Sequence, residues 1–489
     1  MVFLSLTTIV TSTNKPELKE VLTAMAKATD FMMNTVSVNG GFIWKYSLDL
    51  NERYGEVKAR KTMIWVEPPG TPTVGEMLIE AWLATGDSNY RLYAERVAET
   101  LIRGQLSCGG WHYFIDQDTI GMKAYYHDYL STIWGWEEHT KYYGNATFDD
   151  ETTVSATRFL LRLYSATNNI YYKKAVDKAL KFILESQFPN GGWPQRSPAI
   201  LDKSIDGHID YTQCATFNDD VIHNNIMILL EAWKTLHNKL FLTVALKGMD
   251  FLILSQLPAP QSGWAQQYDD QLQPDSGRRF EIGTISTGET VSNIQHLFDY
   301  YRFTGDRKYL EPIPPALKWL EESAGKLPMK EYSHTYFYEM GSNRPIYMQV
   351  QGNGRGRYFE KTYNFENAYP YGHKMNIDFD NLRQEYLRIS LLNKNVALAE
   401  FEHKFKIQRS EPVINIISSG LDYRTNVGNP DEIRNMIESL DINGGWVVQN
   451  EILDEHDFLH TAARIIPGYD TGTFVTRMYR LINYLYSLQ

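Results

Sequence analysis

Cysteine is scarce in this sequence, which holds two, Cys108 and Cys214, in 489 residues. That number excludes a disulfide framework and a zinc site built from cysteine thiolates, and it leaves the redox compartment open. Apolar runs of membrane-spanning length are also missing, so the sequence predicts neither a transmembrane helix nor a membrane partner. Basic residues are outnumbered, with 48 Lys and Arg against 59 Asp and Glu and a net charge of −11. This charge argues against nucleic acid as a partner.

Linkers rich in Ser or Pro are missing as well. The length alone would allow two or three domains, but without linkers we predict one continuous catalytic domain over residues 1–489. Hydrophobic residues make up 43% and charged residues 22%, the balance of a globular protein. The 32 Tyr and 11 Trp residues suit a carbohydrate groove, although core packing is their commoner use.

A two-helix unit recurs along the chain. Each copy holds a helix, a turn with Asn or Asp, a Tyr, a second helix, and then Gln followed by a Gly-Trp turn. Full copies end at Gly109-Gly110-Trp111, Gly191-Gly192-Trp193 and Gly263-Trp264, and half copies hold Gly40-Gly41-Phe42 and Gly444-Gly445-Trp446. Repeats of this kind indicate stacked supersecondary units.

The repeat predicts an all-α fold, an α/α toroid of helical hairpins. Apolar residues fall at helical spacing, as in Ile226, Leu229, Leu230 and Trp233, so the helices are amphipathic. A hairpin cannot bury both faces alone, whereas hairpins side by side close into a ring with their loops on one rim. Residues 332–371 are rich in Tyr, Gly and Arg without helical period, which predicts strands and loops over that rim.

Acidic residues precede the first helix of two copies, at Asp149-Asp150 and at Asn218-Asp219-Asp220. Helix capping explains such residues equally well for the first group. A further pair, Asp269-Asp270, follows the third Gly-Trp turn and belongs to the same rim. Carboxylates from neighbouring loops suit Ca²⁺, which prefers oxygen ligands. The spacing therefore suggests a Ca²⁺ site assembled across loops.

Arg344 lies in the strand-like segment, within Ser342-Asn343-Arg344-Pro345. An arginine there is suited to bind a substrate carboxylate through two parallel hydrogen bonds. A solvated surface arginine is the alternative.

Together these motifs resemble the family 10 polysaccharide lyases, which are pectate lyases. In chain order the matching stretches are 191–195 (GGWPQ), 216–220 (TFNDD), 264–269 (WAQQYD), 278–281 (RRFE), 286–289 (STGE) and 342–345 (SNRP). The resemblance covers about residues 145–375. On this basis residues 1–145 are extra N-terminal hairpins, 146–375 a lyase-like core and 376–489 a C-terminal extension.

The resemblance implies Ca²⁺-dependent anti-β-elimination of polygalacturonate, or of another uronate polymer. By carry-over, Arg344 is the catalytic base, and Asp219, Asp220 and Asp269 bind the metal or contact substrate. The same carry-over assigns substrate binding to Trp193, Gln195, Asn218, Arg278, Glu281 and Glu289. Such polymers are digested outside the cytoplasm, so a periplasmic or extracellular location is expected.

Three other functions remain open at this point. A glycoside hydrolase on the same toroid would use two carboxylates across the groove, with Asp219 or Asp220 opposite Glu289 or Asp269. A glycan-binding protein would keep the ring without chemistry. A terpenoid cyclase would explain the Gln-to-Trp repeats, but it needs an apolar cavity.

Overall fold

The structure, a computed structural model, describes residues 15–133, 144–200, 204–205, 208–209, 211–278, 280–325, 332–351, 358–368, 375–405, 429–454 and 463–488. Within them the α-helices are α1 (Leu18–Phe31), α2 (Thr71–Thr85), α3 (Ser88–Arg103), α4 (Thr119–Ala124), α5 (Thr152–Thr167), α6 (Ile170–Glu185), α7 (Val221–Leu236), α8 (Lys239–Leu254), α9 (Thr287–Thr304), α10 (Ile313–Ser323), α11 (Phe379–Ser390), α12 (Lys394–Lys404), α13 (Pro430–Glu438) and α14 (Thr471–Leu488).

The strands are short, and most of them occupy the loops between helices. They are β1 (Lys45–Ser47), β2 (Arg53–Tyr54), β3 (Met63–Trp65), β4 (Phe114–Asp116), β5 (Ala146–Thr147), β6 (Arg196–Ser197), β7 (Ser204–Ile205), β8 (His208–Ile209), β9 (Ala215–Thr216), β10 (Trp264–Ala265), β11 (Gln267–Tyr268), β12 (Ile285–Ser286), β13 (Phe337–Tyr338), β14 (Pro345–Gln351), β15 (Tyr358–Thr362), β16 (Val448–Leu453) and β17 (Ala463–Asp470).

Helical hairpins form because a residue that ends one helix is followed directly by a residue that caps the start of the next. An inner helix ends at a residue with left-handed backbone, and the Asp or Asn that follows caps the next helical segment. That segment is the outer helix α3, α6 or α8 in three hairpins and a 3₁₀ turn (Arg307–Tyr309) ahead of α10 in the fourth. The left-handed residues are Gly86, Asn168, His237 and Gly305, and the caps after them are Asp87, Asn169, Asn238 and Asp306.

Each outer helix is tied to the loop that follows it. In the second full copy, Gln187 Nε2 donates to the carbonyls of Gly191 and of Val244 in the next outer helix. The indole N–H of Trp193 donates back to the Ile183 carbonyl at 2.8 Å. Gln105, Gln256, Trp111 and Trp264 repeat these bonds in their own copies. The Gln-to-Trp repeat is therefore a joint between neighbouring hairpins.

The inner helices pack side by side into a ring. Helix α14 contacts α2, α2 contacts α5, and α5 contacts α7, while α9 packs against α8, α10 and α12. Helix α5 is buried all round from Thr152 to Leu163, as expected for a helix inside a ring of outer helices. The predicted α/α toroid is thus confirmed.

The turn after α13 packs on α1 and joins the two ends of the chain. An added Cβ at Gly444 would lie 2.7 Å from the Lys27 carbonyl oxygen, and Lys27 Nζ donates to the Asp441 carbonyl at 2.8 Å. Gly109 and Gly191 pack in the same way on the next outer helices, α6 and α8. Strand β1 also pairs with β17, with Lys45 opposite Asp470.

A five-stranded antiparallel sheet of order β10-β12-β13-β14-β15 accompanies the ring. Strand β12 leads directly into the inner helix α9, and the Thr287 N–H donates to the Tyr336 carbonyl just before β13. The sheet therefore lies on the loop side of the ring, and the prediction of strands and loops over the rim is confirmed. Among the described residues no helix is long and apolar enough to cross a membrane.

Candidate active site

Two equivalent acidic loops lie side by side on the rim. Phe148-Asp149-Asp150-Glu151 leads into α5, and Phe217-Asn218-Asp219-Asp220 leads into α7. The last two residues of each loop have positive φ, at 47° and 59° in the first and 52° and 55° in the second. Left-handed backbone at residues other than glycine costs about 1 kcal/mol or more each and is typical of functional sites. The same left-handed backbone therefore occurs in both acidic loops.

Three carboxylates from these loops converge. Asp149, Asp150 and Asp219 each offer an oxygen atom, and these atoms all lie within 4.8 Å of one another. Asp149 is fully buried, and the Tyr113 hydroxyl donates to its Oδ2 at 2.6 Å. Its Oδ1 is buried with no hydrogen-bond donor among the described residues. We call these three residues the carboxylate cluster.

Burial and mutual repulsion govern the charge of the carboxylate cluster. Burial, and then the Asp149 charge, raise the pKa of the Asp150 carboxyl well above its usual range. Burial, followed by Asp149 and Asp150, does the same to the pKa of Asp219. Asp219 is the exposed member of the cluster, and desolvation of its carboxyl is still the largest cause of this shift. The cluster therefore favours either bound protons or a bound cation.

The cluster fits a hard divalent cation. Ca²⁺ accepts carboxylate oxygens at about 2.4 Å, so ligand atoms around one ion lie within about 4.8 Å of each other. The spacing of the three carboxylates meets that limit, and Asp149 Oδ1 has a free lone pair to offer.

Arg278 provides the opposite charge beside the cluster. Its guanidinium NH2 lies 3.9 Å from Asp149 Oδ2, and its side chain keeps 28% of its surface exposed. Its backbone N–H donates to Glu281 Oε2 at 2.7 Å, which orders the loop that carries it. Arg278 can therefore contact a ligand at the cluster. Its sequence neighbour Arg279 lies outside the described residues.

Asp220 points to a different group. Its Oδ1 bonds His296 Nε2 at 2.8 Å, and the His296 ring stacks on His223 with centroids 3.8 Å apart. His223 in turn meets the Tyr300 hydroxyl at 3.1 Å. Burial, and then the neighbouring His296, hold the pKa of His223 well below its usual range. The stacked pair therefore holds Asp220 between the inner helices α7 and α9.

Glu289 lies in the first turn of the next inner helix, α9, and is buried. Burial, with Asp220 as the next cause, raises the pKa of Glu289 to about 8. The Tyr336 hydroxyl donates to its Oε1 at 3.0 Å. Gly288 lets the Tyr336 ring lie against this helix start, since a Cβ there would come within 2.6 Å of the ring.

Glu67 occupies the corresponding position before α2 and was missed from the sequence. It is 5% exposed, and the Trp65 indole N–H donates to its Oε2 at 2.9 Å. Burial, then Asp150 and Glu56, raise the pKa of Glu67 well above its usual range. The signal was available, because Glu67 lies in the loop that leads into the inner helix α2, as Asp150 and Asp219 lie in the loops that lead into α5 and α7.

Several residues predicted to bind substrate also make framework contacts in this structure, and their assignment to substrate stays a prediction. Trp193 is fully buried in its hairpin joint. The Gln195 carbonyl accepts the Phe148 N–H at 2.8 Å, and its side-chain Oε1 is buried without a donor among the described residues. Asn218 Oδ1 accepts from Gln266 Nε2 at 3.0 Å, and its amide donates to Asp219. Gln195 and Asn218 therefore hold the two acidic loops in place by hydrogen bonds.

Two predicted residues make contacts with groups outside the carboxylate cluster. Asp269 Oδ1 accepts the backbone N–H groups of Gln271 and Gln273, so it shapes its own turn. Arg344 is exposed in the hairpin between β13 and β14, with its guanidinium carbon 4.0 Å from the Tyr363 ring centroid. That hairpin follows the C-terminal end of β13. Tyr336, whose hydroxyl donates to Glu289, precedes the N-terminal end of the same strand. The site assignments of Asp269 and Arg344 stay predictions.

Residues 132–371 match the family model described as pectic acid lyase. Among solved structures the chain is similar to the family 10 polysaccharide lyase from Cellvibrio cellulosa, with 18% identity and a TM-score of 0.42 over 66% of this chain and 98% of that one.

It is also similar to an α-1,6-mannanase from Salegentibacter sp. HEL1_6, with 13% identity and a TM-score of 0.37 over 96% of this chain and 99% of that one. No curated protein matches it. The resemblance inferred from the ordered motifs is confirmed, and residues 132–371 of this chain match the pectic acid lyase family.

Proposed function

We propose that the chain is a polysaccharide lyase that cleaves a uronate polymer by Ca²⁺-assisted anti-β-elimination, with polygalacturonate as the first substrate to test. The observation that carries the proposal is the carboxylate cluster beside Arg278, within the segment that matches the pectic acid lyase family. A variant of the Cellvibrio lyase was solved in complex with trigalacturonic acid, which supports an acidic polysaccharide as the substrate class.

The chemistry requires that a base takes the weakly acidic C5 proton, the bond from C4 to the leaving oxygen breaks, and a double bond forms between C4 and C5. The leaving oxygen takes up a proton in exchange, so no water is consumed. A cation on the uronate carboxylate would lower the energy of the enolate-like transition state. In this proposal Asp149, Asp150 and Asp219 hold that cation, and Tyr113 orients Asp149 by hydrogen bonding to Oδ2. Deep burial of Asp149 strengthens each of these interactions.

We propose Arg278 as the arginine at the reacting sugar. Its guanidinium lies next to Asp149 and is partly exposed, so it can pair with the substrate carboxylate and stabilise charge that develops there. An arginine base would have to be deprotonated at least transiently, because the side chain is ordinarily charged. Arg344 remains the alternative base, and matched variants of the two arginines distinguish them.

The test is incubation of the protein with a panel of uronate polysaccharides, with added Ca²⁺ or with a chelator. Elimination yields an unsaturated sugar that absorbs in the ultraviolet, together with new reducing ends. We expect both signals with Ca²⁺ and neither after chelation. New reducing ends without absorbance would instead identify a glycoside hydrolase, and binding without either signal a glycan-binding protein.

The location follows from the substrate and is part of the same proposal. Uronate polymers are too large and too charged to cross a membrane unaided, so we place the protein in the periplasm or outside the cell. Fractionation of producing cells tests this, since recovery in the cytoplasmic fraction would contradict it.

A further inference from the structure

A second charged cluster lies on the sheet, where β13 turns into β14. Glu339 Oε1 accepts from Lys361 Nζ at 3.0 Å and from the Tyr363 hydroxyl, and the Ser342 hydroxyl donates to the other carboxylate oxygen of Glu339. The Arg344 guanidinium carbon lies 4.0 Å from the Tyr363 ring centroid, and Lys361 Nζ lies 5.7 Å from it. Two cations therefore flank one aromatic ring beside a single carboxylate of this cluster.

The turn that carries these residues is anchored to the core. The Glu339 N–H donates to the Arg344 carbonyl at 2.9 Å, and the Asn343 N–H donates to the Glu339 carbonyl at 3.0 Å. The Asn343 side chain accepts the Trp319 indole N–H and donates to the Ser323 hydroxyl, both at 3.0 Å, and these two partners are buried in α10. The cations at the surface of this turn are therefore held in place before any ligand binds, which lowers the entropy cost of binding.

One face of β15 connects this second cluster to the loop that carries Arg278. Side chains alternate along a strand, so Phe359 and Lys361 share a face, and Tyr363, directly after the strand, continues that alternation. The Phe359 ring packs on the Phe280 ring with centroids 5.8 Å apart, and Phe280 comes two residues after Arg278. Lys361 lies about 7 Å along the strand from Phe359. The face that carries Lys361 is therefore the face that meets the Arg278 loop.

Both cations are open to solvent. The Lys361 side chain keeps 47% of its surface exposed, and Arg344 is also exposed. Lys361 is paired with Glu339, whereas Arg344 forms no ion pair with any described residue. Ammonium and guanidinium groups bind carboxylates through charge-assisted hydrogen bonds. A uronate offers that carboxylate and a neutral sugar does not, so these contacts distinguish the two.

We propose that Lys361 and Arg344, held by Tyr363 and Glu339, bind the carboxylate of a uronate that lies farther along the polymer than the reacting sugar. The substrate groove then extends from the carboxylate cluster along the Lys361 face of β15. This inference rests on the proposed lyase function for the reaction itself, whereas binding at Lys361 is measured without turnover.

The experiment compares the wild type, Lys361→Ala, Lys361→Arg and the control Lys318→Ala. Lys318 is exposed on α10, where it pairs with Glu322, so the control removes the same charge elsewhere. Binding is measured by retardation in native gels that contain either polygalacturonate or its methyl ester, which lacks the carboxylate charge. For galacturonate oligomers of increasing length, kcat and KM are measured from ultraviolet absorbance.

We expect Lys361→Ala to weaken binding to polygalacturonate about fivefold, the size of one exposed ion pair, and this loss should shrink at about 1 M salt. Binding to the methyl ester should change much less, because the ester has no charge for the ammonium to contact. On the oligomers the loss in kcat/KM should arise through KM and grow with chain length. Lys361→Arg should keep most of the binding, and Lys318→Ala should match the wild type.

Equal retardation of Lys361→Ala and Lys318→Ala by polygalacturonate would overturn the subsite. A loss of the same size on every oligomer would also overturn it, because Lys361 would then act at the reacting sugar or in the framework. If no uronate polymer gives an unsaturated product, the lyase function fails while the gel measurement still decides the subsite. The two failures are therefore distinguishable.

Discussion

At the scale of single residues, the site concentrates negative charge around a buried acid, Asp149. Asp149, Asp150 and Asp219 lie within one coordination sphere, and Asp149 Oδ1 has no donor among the described residues. Like charges this close cannot all stay ionised without a cation. Arg278 acts on all three carboxylates but offsets only part of their charge, since it is a single cation beside three acids.

Replacing Asp149 with Asn tests the cation directly. Asp149→Asn keeps the side-chain shape but removes a charged ligand, so we expect Ca²⁺ affinity by calorimetry to fall at least about tenfold. Turnover should fall by about a hundredfold or more. Thermal stability should hold or rise because repulsion is relieved. Asp177→Asn, on the exposed face of α6, is the control and should change none of these. Unaltered Ca²⁺ affinity in Asp149→Asn would refute the assignment.

The two candidate arginines give opposite expectations. Arg278→Ala should lower kcat by about a thousandfold, because the guanidinium stabilises charge at the reacting sugar. Arg278→Lys should rescue poorly, since an ammonium lacks the planar fork. Arg344→Ala should stay within about tenfold of wild type, because Arg344 stacks on Tyr363 at the sheet's hairpin. The reverse outcome, with Arg344→Ala inactive and Arg278→Ala active, would restore Arg344 as the base.

Glu289 makes stability depend on pH. Its folded pKa of about 8 lies above the ordinary value of 4.5, so folding favours its protonated form. The stability that this gives is complete below pH 4.5 and is lost as the pH rises through 8. Gln cannot ionise, so Glu289→Gln should not lose stability as the pH rises. The Tm of this variant should therefore exceed that of wild type at about pH 9 and match it at about pH 5. Equal Tm differences at both pH values would contradict the raised pKa.

The sequence located part of this site, for definite reasons. Asp219 and Arg278 were found because they belong to ordered family motifs. For Asp149 the sequence did not distinguish a helix cap from a metal ligand, because an Asp at the start of a helix is expected even where there is no functional site. Glu67 was missed, since its role depends on the repeat register of α2 and not on a motif. Asp269 and Arg344 remain predictions from the resemblance.

At the scale of elements, the hairpin joints depend on glycine. Gly109 has φ of +118°, and an added Cβ would lie 2.5 Å from the Lys178 carbonyl oxygen of α6. Gly109→Ala should therefore lower the free energy of unfolding by about 3 kcal/mol or more, measured with denaturant. Gly86→Ala is the matched control, because Gly86 has φ of +70° but no atom within 4 Å of an added Cβ. It should cost only about 1 kcal/mol. Equal losses would show that the packing at Gly109 is unimportant.

The helices were predictable and the strands were not. Helices α7 and α8 carry the apolar spacing and the Asn238 cap that predict them. Strands such as β9 and β11 have two residues each, too few to show an alternation. Their positions follow instead from loop packing, as in the pairing of Thr216 with Gln267.

At the scale of the whole molecule, the family-matched segment is part of a larger ring. Helix α5 packs against α2, and α2 against α14, both of which lie outside residues 132–371. We propose that residues 1–489 form one catalytic domain. A fragment spanning 132–371 should be aggregated or sensitive to protease, because it exposes the face of α5 that α2 covers. A fragment that stays monomeric and resists protease would contradict this.

Ring closure could not be predicted in detail. The repeat predicts hairpins that stack, and thus a toroid. It does not say that Lys45 would pair with Asp470, because this contact joins residues at opposite ends of the sequence.

The measurement that tests the central claim most directly is the mass of the products from a defined uronate oligosaccharide. Elimination splits the chain without adding water, so the masses of the two fragments should sum to the mass of the substrate. We predict this sum in the presence of Ca²⁺, no cleavage after chelation, and no cleavage by Asp149→Asn. Fragments that together exceed the substrate by one water, with or without Ca²⁺, would identify hydrolysis and contradict the lyase function.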